Sequence, residues 1–158
     1  MTNVSQSRTA KLLLLSTAAG TVISAYMHFY LYFEGGYRGI APETVAGLTI
    51  SRSFVLTAIG GAILGELLVA GLLWPRVVLP AAAGAVLFSV GAIGAYVLAR
   101  TSGLLGFTES TTITEAAIAL VAEVLTVLTG SAVVLLAWRD RTTGGILRAE
   151  PAGDVARS

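Results

Sequence analysis

Residues 77–99 read VVLPAAAGAVLFSVGAIGAYVLA, 23 positions without one formal charge. A hydrocarbon layer about 30 Å thick is crossed by roughly 20 helical residues, so this stretch is long enough to span a bilayer. Three further stretches have the same character. Residues 12–33 carry no charge over 22 positions, residues 53–73 are interrupted only by Glu66, and residues 116–138 only by Glu123. The four take 89 of the 158 residues. The predicted fold is therefore all-α, a membrane-embedded bundle of four transmembrane helices at about 12–33, 53–73, 77–99 and 116–138.

Composition agrees. Hydrophobic residues make up 55% of the chain, charged residues 12%, and the mean hydropathy is +0.82. An average soluble domain carries roughly 25% charged residues. Zero cysteines exclude disulfides and thiolate chemistry, and the lone histidine, His28, excludes a multi-histidine metal centre within one chain. No metal or other cofactor is implied. A net charge of +1 gives no nucleic-acid footprint. The bilayer is the partner that the composition specifies.

Orientation follows from the basic residues. Arg8, Lys11, Arg76, Arg139, Arg141, Arg148 and Arg157 fall on the side of the termini, against Arg38, Arg52 and Arg100 on the other. The positive-inside rule places residues 1–11, the 74–76 turn and the tail 139–158 in the cytoplasm. The tail is polar, with Gly144, Gly145 and Pro151, and is expected to be disordered beyond its first turn. The first apolar stretch is too long for a signal-peptide core of about 7–15 residues. An inner (plasma) membrane location follows from this reading.

The connections carry turn chemistry. Trp74-Pro75-Arg76 is short enough to make the second and third helices antiparallel neighbours. Glu34-Gly35-Gly36-Tyr37-Arg38-Gly39 reads as a tight turn, Pro42-Glu43-Thr44 as the start of an interfacial helix, and Gly103 and Gly106 as bends. Thr112-x-x-Glu115 matches a capping box for the fourth helix. Each span also has small residues at packing intervals: Ser16, Gly20 and Ser24 leading to His28, then Gly61 and Gly65, then Gly84, Gly91 and Ala95, then Ala119, Thr126 and Gly130 around Glu123. Such faces let helix backbones approach in lipid, within one bundle or between copies or subunits of a larger complex.

Ionisable groups inside spans cost about 2.5–3.5 kcal/mol on insertion scales and are functional candidates by default. Glu123, Glu66 and His28 qualify. Eight residues separate Glu66 from Trp74 and Glu115 from Glu123. Each carboxylate thus lies about 12 Å from opposite ends, at different depths. Either they take part in a proton or cation relay or they fix helix packing, and the packing reading is the stronger. Glu123 shares the face of Ala119, Thr126 and Gly130 and is expected to point inward. His28 stands among Tyr26, Tyr30, Tyr32 and Tyr96, the setting of an aromatic belt, with Glu115 and Glu34 the only carboxylates at its level. Arg38, Arg52, Arg100 and Glu115 share that outer level as a candidate polar cluster, and at least two of His28, Arg52, Arg100 and Glu115 are expected to approach each other across the bundle. No Ser-His-Asp arrangement is available, because both aspartates, Asp140 and Asp154, lie in the cytoplasmic tail.

The run His28-Phe-Tyr-Leu-Tyr-Phe-Glu-Gly-Gly-Tyr-Arg-Gly39 and the later Arg100-Thr-Ser-Gly-Leu-Leu-Gly-Phe107 resemble a class of small four-helix prokaryotic integral membrane proteins. The resemblance implies the four-pass fold and carries no activity with it. Small multidrug transporters differ, since their membrane glutamate sits in a first helix that here has none. Function is thereby expected to be that of a structural or accessory membrane subunit. A small proton- or cation-linked carrier using Glu66 and Glu123, and a membrane enzyme or ligand-binding protein with a site at the outer end, are the alternatives.

Overall fold

The computed structural model describes residues 8–39, 49–104, 107–108 and 114–148. The described residues form four long helices: α1 (Arg8–Phe33), α2 (Ile50–Ala70), α3 (Val78–Thr101) and α4 (Thr114–Arg148). All four are long and apolar enough to cross a membrane. The interfacial helix at Pro42 to Thr44, the Gly106 bend and the Thr112 end of the capping box lie outside the described residues.

Helix boundaries differ from the apolar stretches in a systematic way. α1 begins at Arg8, one turn before Leu12, and α4 continues ten residues beyond Trp138 to Arg148. The tail expected to be disordered is thus helical in its first half. Backbone hydrogen bonding does not stop where side chains become polar, and Arg139, Asp140 and Arg141 are compatible with helix in water. α2, in contrast, ends three residues early. Leu72 and Leu73 donate to Val69 and Ala70, tightening the last turn to three-residue hydrogen bonds ahead of Pro75. A 3-10 turn at Pro75–Val77 then leads into α3.

At the other end, Gly36 (φ +79°) and Gly103 (φ +83°) close the turns after α1 and α3 in the left-handed region that a side chain would disfavour. Thr49 caps α2, its hydroxyl accepting from the Arg52 N–H.

The chain runs up, down, up and down. Thr17 meets Thr129, Gly20 meets Thr126 and Ser24 meets Glu123, so numbers rise along α1 as they fall along α4. We call the end with Arg8 and Pro75 the near end, and the end with Gly36 and Gly103 the distal end. α1 packs closely on both α2 and α4, and α3 packs on α4. α2 and α3, although joined by the short turn, meet less. They touch where Gly84 faces Leu64 and where Gly60 and Gly61 face the Phe88 ring. Beyond that ring both helices line a cavity.

The packing is the reverse of a soluble bundle. Most buried apolar residues are alanines, and Thr17, Thr21, Ser24, Ser89 and Thr126 are buried completely. Leucines and valines face outward, with Leu87 73%, Val121 70% and Leu128 66% exposed. Near the near end Leu14, Leu68, Ala82 and Val133 form the main apolar cluster. At the distal end Leu31, Tyr37 and Ile50 form a smaller one, joined by Phe54 and Phe107.

Candidate functional site

The seam between α1 and α4 carries the polar chemistry. On α1, Thr17, Thr21, Ser24 and His28 follow at intervals of four, three and four, which places them on one helical face. Glu123, Thr126 and Thr129 answer from α4. Most of the hydroxyls bond to their own helix: Thr21 donates to the Thr17 carbonyl and Thr126 to that of Ala122, at 2.8 and 2.9 Å. Thr17 and Thr129 approach each other at 2.9 Å while each also lies 2.8 Å from its own i−4 carbonyl. Two hydroxyl protons cannot serve three contacts at once, so one hydroxyl donates across the seam while the other donates to its own helix.

Ser24 breaks this pattern. Its hydroxyl donates to Glu123 Oε1 at 2.8 Å, an interhelical bond completely removed from the surface. One turn on, His28 Nδ1 lies 2.9 Å from the Ser24 carbonyl oxygen. A carbonyl only accepts, so Nδ1 carries a proton, and in the neutral ring Nε2 presents a lone pair. That Nε2 stands 3.9 Å from Glu123 Oε1, within ion-pair range and beyond hydrogen-bond length. Nε2 and Glu123 Oε2 therefore make no hydrogen bond with any described residue. Among the described residues, Ser89 Oγ is the fully buried side-chain polar atom that lacks a partner. His28 and Glu123 both line a space at the distal end.

That space is a cavity of about 130 Å³ between the distal halves of α2 and α3. Ile50 and Phe54 wall it on α2, Ala92 and Ala95 on α3, and Ala119 with Glu123 on α4. Four rings run along one side: His28 and Phe54 with centroids 5.4 Å apart, Phe54 and Tyr37 4.6 Å apart, Tyr37 and Phe107 5.6 Å apart. Thr57 and Tyr96 contribute hydroxyls to the lining, and no lysine or arginine lines it among the described residues.

The outer polar cluster expected of His28, Arg38, Arg52, Arg100 and Glu115 takes another form. His28 turns inward to Glu123 and Phe54, away from the exposed Tyr26–Tyr30 pair on the outer surface. Arg38, Arg52 and Arg100 are exposed, Glu115 is half-buried, and no ion pair joins Arg100 or Glu115 to another described residue. A guanidinium at a helix end reaches water along its own stem, and an exposed ion pair returns at most about 1 kcal/mol. Glu123 points inward, as its face implies. Glu66 does not: it is exposed on the outer surface of α2 and takes no part in the cavity. No group of three histidine, aspartate or glutamate residues suited to a metal ion occurs among the described residues.

Sequence reading noted Ser24 as a small packing residue and passed over Thr17, Thr21, Phe54 and Tyr37. A signal for the first two exists in the 4-3-4 spacing of Thr17, Thr21, Ser24 and His28. None exists for Phe54 and Tyr37, which are brought to the site by the loop geometry. The chain matches no known protein-family model, no curated protein and no solved structure.

Proposed function

We propose that the chain is a four-pass integral membrane protein, with both termini in the cytoplasm, that binds a small molecule in the distal cavity. The inverted packing supports the bilayer: exposed leucine and valine with buried alanine and threonine suit lipid and would aggregate in water. The seven-to-three distribution of basic residues supports the orientation, and with it an inner-membrane location. One observation carries the binding reading. Glu123, only 2% exposed, lines a cavity with aromatic walls while Ser24 donates to just one of its carboxyl oxygens. Apolar walls with a few converging polar atoms are the usual make-up of a ligand site.

Filling the cavity is the test. Purified protein in detergent is screened by thermal shift against small aromatic compounds, beside Ala95→Trp. Stabilisation of the wild type that Ala95→Trp abolishes supports the site. Stabilisation unaffected by Ala95→Trp, or none at all, overturns it.

A second reading, membership of a larger membrane assembly, rests on Glu66. A carboxyl on the lipid-facing side of a span costs about 2.5–3.5 kcal/mol, and a neighbouring helix covering it removes that cost. Purification from native membrane separates the cases by size: a stable complex lost in Glu66→Leu supports the assembly, and a monomer in both forms refutes it. A relay through Glu66 and Glu123 has less support, since the two occupy an outer surface and an inner cavity.

A further inference from the structure

Resting on the cavity as a binding site, we infer that its ligand is a small organic amine: a protonated nitrogen bearing at least two N–H groups, attached to an apolar body about the size of one aromatic ring. Three independent features of the cavity converge on this class.

The first is hydrogen-bond polarity. The Ser24 carbonyl fixes the proton of His28 on Nδ1, which leaves Nε2 as an acceptor. Ser24 already donates to Glu123 Oε1, and Oε2 accepts no hydrogen bond from a described residue. The two unsatisfied atoms at this end of the cavity are therefore both acceptors when the carboxyl is ionised, on groups whose nearest approach is 3.9 Å. A ligand that fits must bring donors, and two of them on one atom can reach both groups. An ammonium does this. A carbonyl, an ether or a halogen brings none.

The second is charge. No lysine or arginine among the described residues lines the cavity, so this lining offers Glu123 no permanent counter-charge. An ionised carboxyl sealed inside a bundle is expensive without one. A cationic ligand provides it, and Phe54, Tyr37 and Phe107, whose π systems attract cations, line the cavity. An anionic ligand would meet Glu123 with no compensating group.

The third is size. A cavity of about 130 Å³ is close to the engineered cavity of about 150 Å³ that takes up benzene. Ala92, Ala95, Ala119 and Leu31 form apolar walls that suit a ring, beside the hydroxyl-bearing Tyr37, Ser53, Thr57 and Tyr96.

The probes are benzylamine, benzyl alcohol and benzyltrimethylammonium, titrated calorimetrically into the detergent-solubilised full chain. Benzylamine is expected to bind saturably, at least about tenfold tighter than benzyl alcohol, which lacks the charge, and than the quaternary analogue, which lacks the N–H donors. Glu123→Gln, an isosteric change that can still accept from Ser24, is expected to weaken benzylamine at least about tenfold and to leave benzyl alcohol unchanged. Ala95→Trp should remove all three.

The outcomes separate the two levels of the argument. Benzyl alcohol binding as tightly as benzylamine, both abolished by Ala95→Trp, leaves the cavity as a site and overturns the amine. Equal binding of the quaternary compound overturns the two-acceptor assignment likewise, as does benzylamine binding indifferent to Glu123→Gln. Binding of no probe, or binding that survives Ala95→Trp, overturns both.

Discussion

Gly20 faces the α4 backbone directly, and an added methyl there measures how tightly the polar seam is held. A Cβ on Gly20 would lie 2.5 Å from Thr126 Oγ1 and 2.9 Å from the Ala122 carbonyl oxygen. The carbonyl belongs to the α4 backbone and cannot rotate aside, and Thr126 Oγ1 is itself bonded to that carbonyl. The helices must separate instead. Forcing extra volume into such packing costs about 1–3 kcal/mol, from which the better helix propensity of alanine returns at most about 1 kcal/mol. The separation also stretches the Ser24–Glu123 bond one turn away, an interaction of about 0.6–1.7 kcal/mol between membrane helices. Gly20→Ala should thus lose about 1–3 kcal/mol. Gly91→Ala is the control: nothing lies within 4 Å of its added Cβ, so it should be neutral or gain up to about 1 kcal/mol. Unfolding in mixed micelles, followed by circular dichroism, gives both values. Equal stability of the two variants would refute the close approach of α1 and α4.

Ser24→Ala, which takes the donor from Glu123, should cost about 0.6–1.7 kcal/mol in the same assay, while Ser16→Ala, at a half-buried position that makes no interhelical hydrogen bond with a described residue, should stay within about 0.5 kcal/mol. Ser89→Ala should be neutral or stabilising by about 1 kcal/mol, because Ser89 Oγ is buried without a hydrogen bond; a clear loss would reveal a partner for it. Reporter fusions after Glu43 and Glu109 should be read outside the cell and fusions after Trp74 and Trp138 inside, and an external C-terminus would reverse the orientation.

The number of helices was legible because length and apolarity are properties of a contiguous stretch. Residues 77–99 announce themselves without reference to anything else in the chain. Helix ends were less so, since hydropathy marks where lipid would begin and hydrogen bonding decides where a helix stops. Arg8 to Lys11 and Arg139 to Arg148 are polar and helical; Gly71 to Leu73 are apolar and not α-helical.

The site divides in the same manner. Glu123 and His28 were singled out one at a time, from the cost of an ionisable group in a span. Their meeting was not, and the reason lies in register. Counting from the span ends set Glu123 about 12 Å deep by the helical rise and left His28 at the surface with the tyrosines. The apolar stretch does not fix how far α4 slides along α1. Contacts of the smallest side chains do: Gly20 against Ala122 and Thr126, and Gly130 against Thr17, fix the alignment of the two helices. That alignment sets Ser24 opposite Glu123 and carries His28 one turn beyond, to the cavity that α2 and α3 line. The glycines that look like packing elements in the sequence thereby act as the positioning elements of the site, although none of them touches the cavity. A change at Gly20 should therefore disturb binding as well as stability, whereas Gly91→Ala, a substitution of the same chemistry with open space around it, should alter neither by more than its helix propensity.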